Sequence, residues 1–276
     1  MRVAWIGLGN MGQPMAGLVL GAGHEVVAFD VRPAALDALV ARGARASRSP
    51  ADAAADVDAV CLAVLDGPQV ESVTTGADGV FATARPGTVV AVHSTVHPAT
   101  VHRVAAAAPG GVTVVDAPIS GGVHGARAGT LCVMVGGPEA AFARIRPVLD
   151  AVGDLVLHLG ARGAGLAAKL ARNLVGYVTM LGAQEGRALA AAAGTDAGQL
   201  ARILEHTGAL SPMMRDLLAT RGGDAVYEAD LAPLVDLAAK DLRAALALGA
   251  DLDVALPAAA LTLERVAFAL GGEEPP

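Results

Sequence analysis

Residues 3–30 run VAWIGLGNMGQPMAGLVLGAGHEVVAFD. Val3–Ile6 has the length and apolar character of a short buried strand, Met11–Leu20 continues as an apolar helix, and Val26–Phe29 forms a second strand that ends at Asp30. Gly7, Gly9 and Gly12 place a G-x-G-x-x-G at the strand-to-helix turn. Alone that motif is weak. Here a strand precedes it, a helix follows it, and an acid stands 18 residues past the last glycine. Gly7 permits the tight turn, Gly9 lets backbone approach a pyrophosphate, and Gly12 lets the helix pack on the strand. The helix start offers N–H groups and a positive dipole end to phosphates. Asp30 is placed to accept hydrogen bonds from ribose hydroxyls and to repel a 2′-phosphate, which favours NAD; Arg32 leaves NADP possible.

The alternation of strands and helices continues to about residue 160. Strand candidates are Val3–Ile6, Glu25–Phe29, Ala59–Val64, Thr88–Val92, Val112–Val115, Leu131–Val135 and Leu155–Leu157. Ser49-Pro50 and Gly137-Pro138 place proline at the first turn of a helix. Such alternation implies βαβ units and a parallel sheet. Beyond it the strands stop. Ala164–Ala193 is a long helical stretch, and further helices are expected at Asp196–Glu205, Met213–Thr220, Ala232–Leu248 and Pro257–Leu270. Gly194-Thr195, Gly208 with Ser211-Pro212, Gly222-Gly223 and the Pro257 turn separate them, and the tail Gly271–Pro276 is expected to fray. The chain thus divides into an α/β domain over residues 1–161 and an all-helical domain over 162–276.

Composition excludes several classes. With 54% hydrophobic and 17% charged residues there is ample material for a core, and 3% aromatics means that Ala, Val and Leu must fill it. The net charge of −7 and the lack of a basic stripe argue against nucleic acid. No run of about 18 apolar residues is present, so no membrane span is expected. The chain opens directly on its first strand without a charged-then-apolar leader, so a soluble cytoplasmic protein is expected. Cys61 and Cys132 sit in apolar runs (AVCLAVL, TLCVMV) and read as buried reduced thiols. No Cys/His cluster has metal-ligand spacing.

The basic residues comprise eighteen arginines and only two lysines, Lys169 and Lys240. Arginine cannot exchange a proton, whereas a partly buried lysine can act as acid or base. Lys169 lies among small residues in GAGLAAKLARNL, with Asn173 one helical turn on. Lys240 lies in AAKDLRAA, where a solvated helix face is the simpler alternative. In DAPISGGVHGARAGTLCVMVGG, residues 116–137, Ser120-Gly121-Gly122 supplies a hydroxyl and accessible backbone N–H groups suited to a carboxylate. Taken alone, that loop would read as an ordinary glycine turn.

Together these blocks resemble the β-hydroxyacid dehydrogenase family, which includes the 3-hydroxyisobutyrate dehydrogenases and tartronate semialdehyde reductases. The resemblance covers nearly the whole chain in four blocks in family order. GLGNMGQPMA matches the cofactor signature and adds Leu8, Asn10 and Met11 to the expected contacts; DAPISGGVHGARAGTL matches the substrate signature; GAGLAAKLARN matches the catalytic block; AAKDL matches the C-terminal block. It implies Lys169 as catalytic lysine, Asn173 as its partner, and Lys240 near the cofactor. It also implies Leu65-Asp66 in a cofactor loop where Leu-Pro is more usual, and Thr95 of His93-Ser94-Thr95 near the nicotinamide ribose. The implied fold is a Rossmann-type domain joined through a long helix to a helical domain that forms homodimers or homotetramers, with the active site in the cleft between them. The implied activity is NAD(P)-dependent hydride transfer on a small 3-hydroxy acid or its semialdehyde, with the substrate carboxylate on Ser120, Gly121 and Gly122.

Two departures stand out. Arg172 replaces a second asparagine common in the family, and is placed either to act on Lys169 or an acidic substrate, or to face an interface. Pro233 stands where phenylalanine is frequent, which implies an altered pocket wall. Imine reductases share the fold but usually lack the lysine, and non-catalytic cofactor-binding relatives tend to lose it. Lys169 therefore favours the dehydrogenase reading over both.

Overall fold

The computed structural model describes residues 1–209 and 231–272. Met1–Lys169 and Leu170–Pro276 form two compact units. In the first, strands β1 (Arg2–Ile6), β2 (Glu25–Phe29), β3 (Arg45–Ala46), β4 (Ala59–Leu62), β5 (Val89–Val92) and β6 (Thr113–Asp116) pair in parallel in the order β3-β2-β1-β4-β5-β6. This is the doubly wound order, in which ligands gather beyond the C-terminal ends of the strands. Both faces are buried. Along β1, Val3 and Trp5 enter one apolar cluster with Met15, Val19 and Ile145, while Ala4 and Ile6 enter another with Val27, Val60 and Leu166. That is why the strands are apolar runs rather than alternating ones.

The strands expected at 131–135 and 155–157 leave this sheet. With β7 (Ile119–Ser120) they form a second one, β7-β8-β9, where β8 is Cys132–Val135 and β9 is Leu155–His158. β8 and β9 are parallel, but β7 runs antiparallel to β8. This corrects the expectation of parallel βαβ units alone. A two-residue strand after Pro118 carries no periodicity to read. The cysteines also differ: Cys61 is fully buried, and Cys132 only half-buried at the strand's start.

In the N-terminal unit, α1 spans Gly12–Gly21. Ser49 caps the helix that begins at Pro50, whereas Pro138 is itself the cap of the helix Glu139–Leu149, one position earlier than expected. The long helix, α8 in chain order, spans Ala164–Ala192. In the second unit Asp196 caps Ala197–His206, and Leu231–Asp251 is a single helix. The helix expected over Pro257–Leu270 breaks at Arg265 into Pro257–Glu264 and Val266–Ala269. The core of this unit includes Met180 and Leu242 together with Ala183, Ala238, Ala239 and Ala259, small residues that let helices approach closely. The helix expected at 213–220, the separators at 211–212 and 222–223, and the last four residues of the tail lie outside the described residues.

His93, just past β5, is 3% exposed; its Nδ1 lies 2.8 Å from the Ala117 carbonyl oxygen and its ring stacks on Trp5 at 5.5 Å. Burial, opposed by the Ala117 contact, pushes its pKa down from 6.5 to about 4. Between those values the unfolded chain binds the proton and the folded one does not, so stability is lost as pH falls through this window. Urea unfolding followed by Trp5 fluorescence should show about 2 kcal/mol less stability at pH 5 than at pH 7 from this group, absent in His93→Gln.

Candidate cofactor and catalytic site

The glycines of the first turn fall into two kinds. Gly7 has φ +94°, and a Cβ there would lie 2.5 Å from the Ala63 carbonyl oxygen. A Cβ on Gly12 would lie 2.0 Å from the Gly7 oxygen. Both are demanded by the fold. Gly9 is different: a Cβ there meets nothing within 4 Å. Its bare face opens on solvent beside the start of α1, the positive end of the helix dipole, where the Gln13 N–H already donates to the Gly9 carbonyl oxygen at 3.1 Å. The open face of Gly9 leaves room for a dinucleotide pyrophosphate, which the backbone of Asn10 and Met11 would flank, while Leu8 faces Asp30.

Asp30 follows β2 and its side chain is only 7% exposed. Its Oδ2 accepts the Leu8 N–H at 2.7 Å, and its Oδ1 accepts the Arg32 N–H at 2.8 Å and Nε at 3.1 Å. Burial alone would raise its pKa, but these hydrogen bonds and the Arg32 charge hold it below the usual value. The carboxylate thus braces the glycine turn and is covered by Arg32, whose Nη2 also reaches the Leu8 oxygen at 3.4 Å. A cleft of about 420 Å³ is lined by Leu8, Gly9, Asn10, Arg32 and Arg127. Arg127 comes from the helix Gly122–Ala128, and no sequence signal marks it.

Leu65, Asp66 and Thr95 follow the C-terminal ends of parallel strands, so topology brings them to one edge of the main sheet, whereas Ser120, Gly121 and Gly122 stand at the end of β7 in the second sheet. Leu65 and Asp66 follow β4. Asp66 caps the helix Gly67–Thr75 by accepting the Gln69 N–H at 2.9 Å, and the Gln69 Oε1 accepts the Leu65 N–H at 3.0 Å. These two hydrogen bonds hold the loop and leave Leu65 61% exposed. Thr95 follows β5, half-buried, next to Ser94, whose hydroxyl donates to the Val64 oxygen at 2.6 Å. Ser120 ends β7, and Gly121 and Gly122 carry φ of +136° and +64°, which turns the chain sharply into the next helix.

Lys169 lies one turn into α8 and is 8% exposed. The helix start is pinned. Asp116, fully buried at the end of β6, accepts the N–H of Gly163 at 2.7 Å and of Leu166 at 2.8 Å. A Cβ on Gly165 would lie 2.2 Å from the Met134 oxygen.

Asn173 and Lys240 belong to the second unit, where a residue absent from the expected set joins them. Asp241, 3% exposed, accepts from Asn173 Nδ2 at 2.8 Å, Tyr177 OH at 3.3 Å and Lys240 Nζ at 2.8 Å. Lys240 is therefore an ion-pair partner of a buried carboxylate rather than a solvated surface lysine. Arg172 Nη1 donates to Asn173 Oδ1 at 3.1 Å. Pro233 is exposed in the first turn of its helix, where a missing N–H is tolerated. Composition held a signal for Asn173: the chain has two asparagines, Asn10 and Asn173, and both fall in this set.

Residues 2–160 match the family model described as the NAD binding domain of 6-phosphogluconate dehydrogenase, and residues 163–274 match that described as NAD-binding of NADP-dependent 3-hydroxyisobutyrate dehydrogenase. The chain is 42% identical to a 3-hydroxyisobutyrate dehydrogenase of Pseudomonas aeruginosa, over 74% of this chain and 69% of that protein. The chain belongs to the β-hydroxyacid dehydrogenase family. It is also 40% identical to an uncharacterized oxidoreductase of Mycobacterium tuberculosis, over 99% of this chain and 95% of that protein. Its fold is similar to that of Mycobacterium tuberculosis 3-hydroxyisobutyrate dehydrogenase solved with L-serine, at TM-score 0.82 and 33% identity, covering 95% and 91% of the two chains. As a member of this dehydrogenase family the protein is an NAD(P)-binding oxidoreductase. Among the described residues no helix is long and apolar enough to cross a membrane.

The two kinds of glycine separate by experiment. Gly9→Ala should fold with a Tm within about 2 °C of the parent yet bind NADH at least ~10-fold more weakly. Gly12→Ala should lose more than about 2 kcal/mol of stability. Thermal unfolding beside a fluorescence titration of NADH reads both.

Proposed function

We propose that this β-hydroxyacid dehydrogenase transfers a hydride between NAD(P) and a small 3-hydroxy acid or its semialdehyde, with Lys169 as general acid–base. The observation that carries this reading is the setting of Lys169. It is one of two lysines, 8% exposed, on a helix whose start is held by a buried carboxylate. A site that only needed positive charge would be served by arginine, which the chain uses at eighteen of its twenty Lys/Arg positions.

The bound nicotinamide supplies or accepts the hydride. Lys169 takes the hydroxyl proton during oxidation and returns it to the carbonyl oxygen during reduction. Ser120 with the backbone of Gly121 and Gly122 holds the substrate carboxylate, and Asn173 holds the substrate oxygen. Gly7 to Gly12 cradle the pyrophosphate, Asp30 and Arg32 meet the adenosine ribose, and Leu65, Asp66, Thr95 and Lys240 complete the cofactor's surroundings. In this reading residues 1–161 bind the cofactor, and residues 162–276 serve substrate binding and assembly into a homodimer or homotetramer in the cytoplasm. The substrate class is supported by two relatives: one is named for 3-hydroxyisobutyrate, and one was solved with L-serine, which is also a 3-hydroxy acid.

Absorbance at 340 nm across 3-hydroxyisobutyrate, 3-hydroxypropionate, L-serine and related acids tests the reading. Lys169→Ala should lower kcat by ~10²–10⁴ while NADH affinity stays within about 3-fold. Near-normal turnover in that variant would refute the assignment. Cofactor choice is tested separately. Because Arg32 covers Asp30, Arg32→Ala should reduce kcat/KM with NADP at least ~10-fold and change that with NAD far less.

A further inference from the structure

The Asn173 side chain is held at both ends. Its Nδ2 donates to Asp241 at 2.8 Å, and its Oδ1 accepts from Arg172 Nη1 at 3.1 Å. The two ends of an amide have nearly the same shape, so only their partners set which way it points. Reversed, Asn173 would place its oxygen against the carboxylate and its NH₂ against the guanidinium. Both contacts would be repulsive at a residue 6% exposed, where screening is weak. The present polarity is therefore enforced, and one Nδ2–H is left over.

The anchor is Asp241. A carboxylate 3% exposed is costly unless its oxygens are satisfied, and here three donors converge on it: Asn173, Tyr177 and Lys240. Burial first, then the Asp241 charge, push the Tyr177 pKa up, so its hydroxyl stays protonated and remains a donor. All four residues lie within Leu170–Pro276.

We propose that Asp241 is a positioning residue that, with Arg172, locks the Asn173 amide in one polarity and presents its remaining Nδ2–H to the substrate oxygen. This deepens the assignment of Asn173 above and rests on it. It also gives Arg172 a role. The arginine that departs from the family pattern is a counter-pin on the amide oxygen, in place of an acidic-substrate contact. Pre-orientation of this kind removes the cost of ordering the amide during turnover.

Asparagine composition makes a direct test possible. Protein labelled with ¹⁵N only in asparagine side chains gives two NH₂ pairs, from Asn10 and Asn173, and Asn173→Asp assigns them. The parent should show the Asn173 pair widely split and slow to exchange with solvent. Asp241→Ala should collapse it towards free-amide positions and speed its exchange at least ~10-fold. Where Asp241→Ala fails to fold, Arg172→Ala, on an exposed side chain, should still narrow the splitting. A pair unchanged in the folded variant overturns the proposal, whatever the activity.

Kinetics supply the second arm. Asp241→Ala should lower kcat by ~10–100-fold in the parent, but by less than ~3-fold in an Asn173→Ala background. Asp241→Glu should recover part of the parent kcat. Equal losses in both backgrounds would mean that Asp241 acts independently of Asn173 and would also overturn the proposal. If no hydroxy acid is turned over, the substrate reading fails while the amide spectrum still decides the role of Asp241.

Discussion

A single fully buried carboxylate, that of Asp116, ties the N-terminal unit together. Its backbone N–H and carbonyl pair with Gly136 at 3.1 and 2.8 Å, which joins the end of β6 to the end of β8. Its side-chain oxygens cap the start of α8 through Gly163 and Leu166. Main sheet, second sheet and long helix therefore meet at one residue. The cost of burying the charge pushes the Asp116 pKa up, and the N–H groups at the helix start oppose that shift. The site also explains two glycines. A Cβ on Gly136 would lie 2.6 Å from one carboxylate oxygen, and one on Gly165 would lie 2.9 Å from the other. Removing the carboxylate would strand buried N–H groups in the turn that precedes Lys169.

The same logic recurs at smaller scale at the nucleotide turn. Asp30 serves the turn itself. It holds the Leu8 N–H, and so stiffens the loop whose glycines would face the pyrophosphate. Because Arg32 covers it, the local field at the cleft combines a neutralised acid with the exposed side of a guanidinium, and Arg127 adds a second cation to the lining. Charge at this position is therefore set by a pair rather than by Asp30 alone. The simple rule that an acid after the second strand excludes a 2′-phosphate is weakened accordingly.

Asp116 and Asp241 illustrate two ways of keeping a carboxylate out of water. Asp116 is satisfied by backbone N–H groups and serves the fold. Asp241 is satisfied by side chains, one a lysine and one an amide with donor capacity to spare. Only the second arrangement leaves unused hydrogen-bonding capacity on its partner, which is what a substrate-facing group requires.

Much was legible in the chain itself. The glycine turn in its strand-helix context, the apolar strand runs, the end of the strands near residue 160 among the described residues and the run of small residues around Lys169 are local patterns, and local patterns encode what a backbone does over five to twenty residues. Tertiary structure decided what lies between distant positions. It turned β7 antiparallel, since two residues carry no period. It brought Asp241 to Asn173 across 68 positions and Asp116 to Gly163 across 47, and it set Arg127 beside the nucleotide turn. Periodicity says which face of an element is apolar. Which polar groups then meet depends on how the elements pack, and buried charge leaves those groups no choice but to pair.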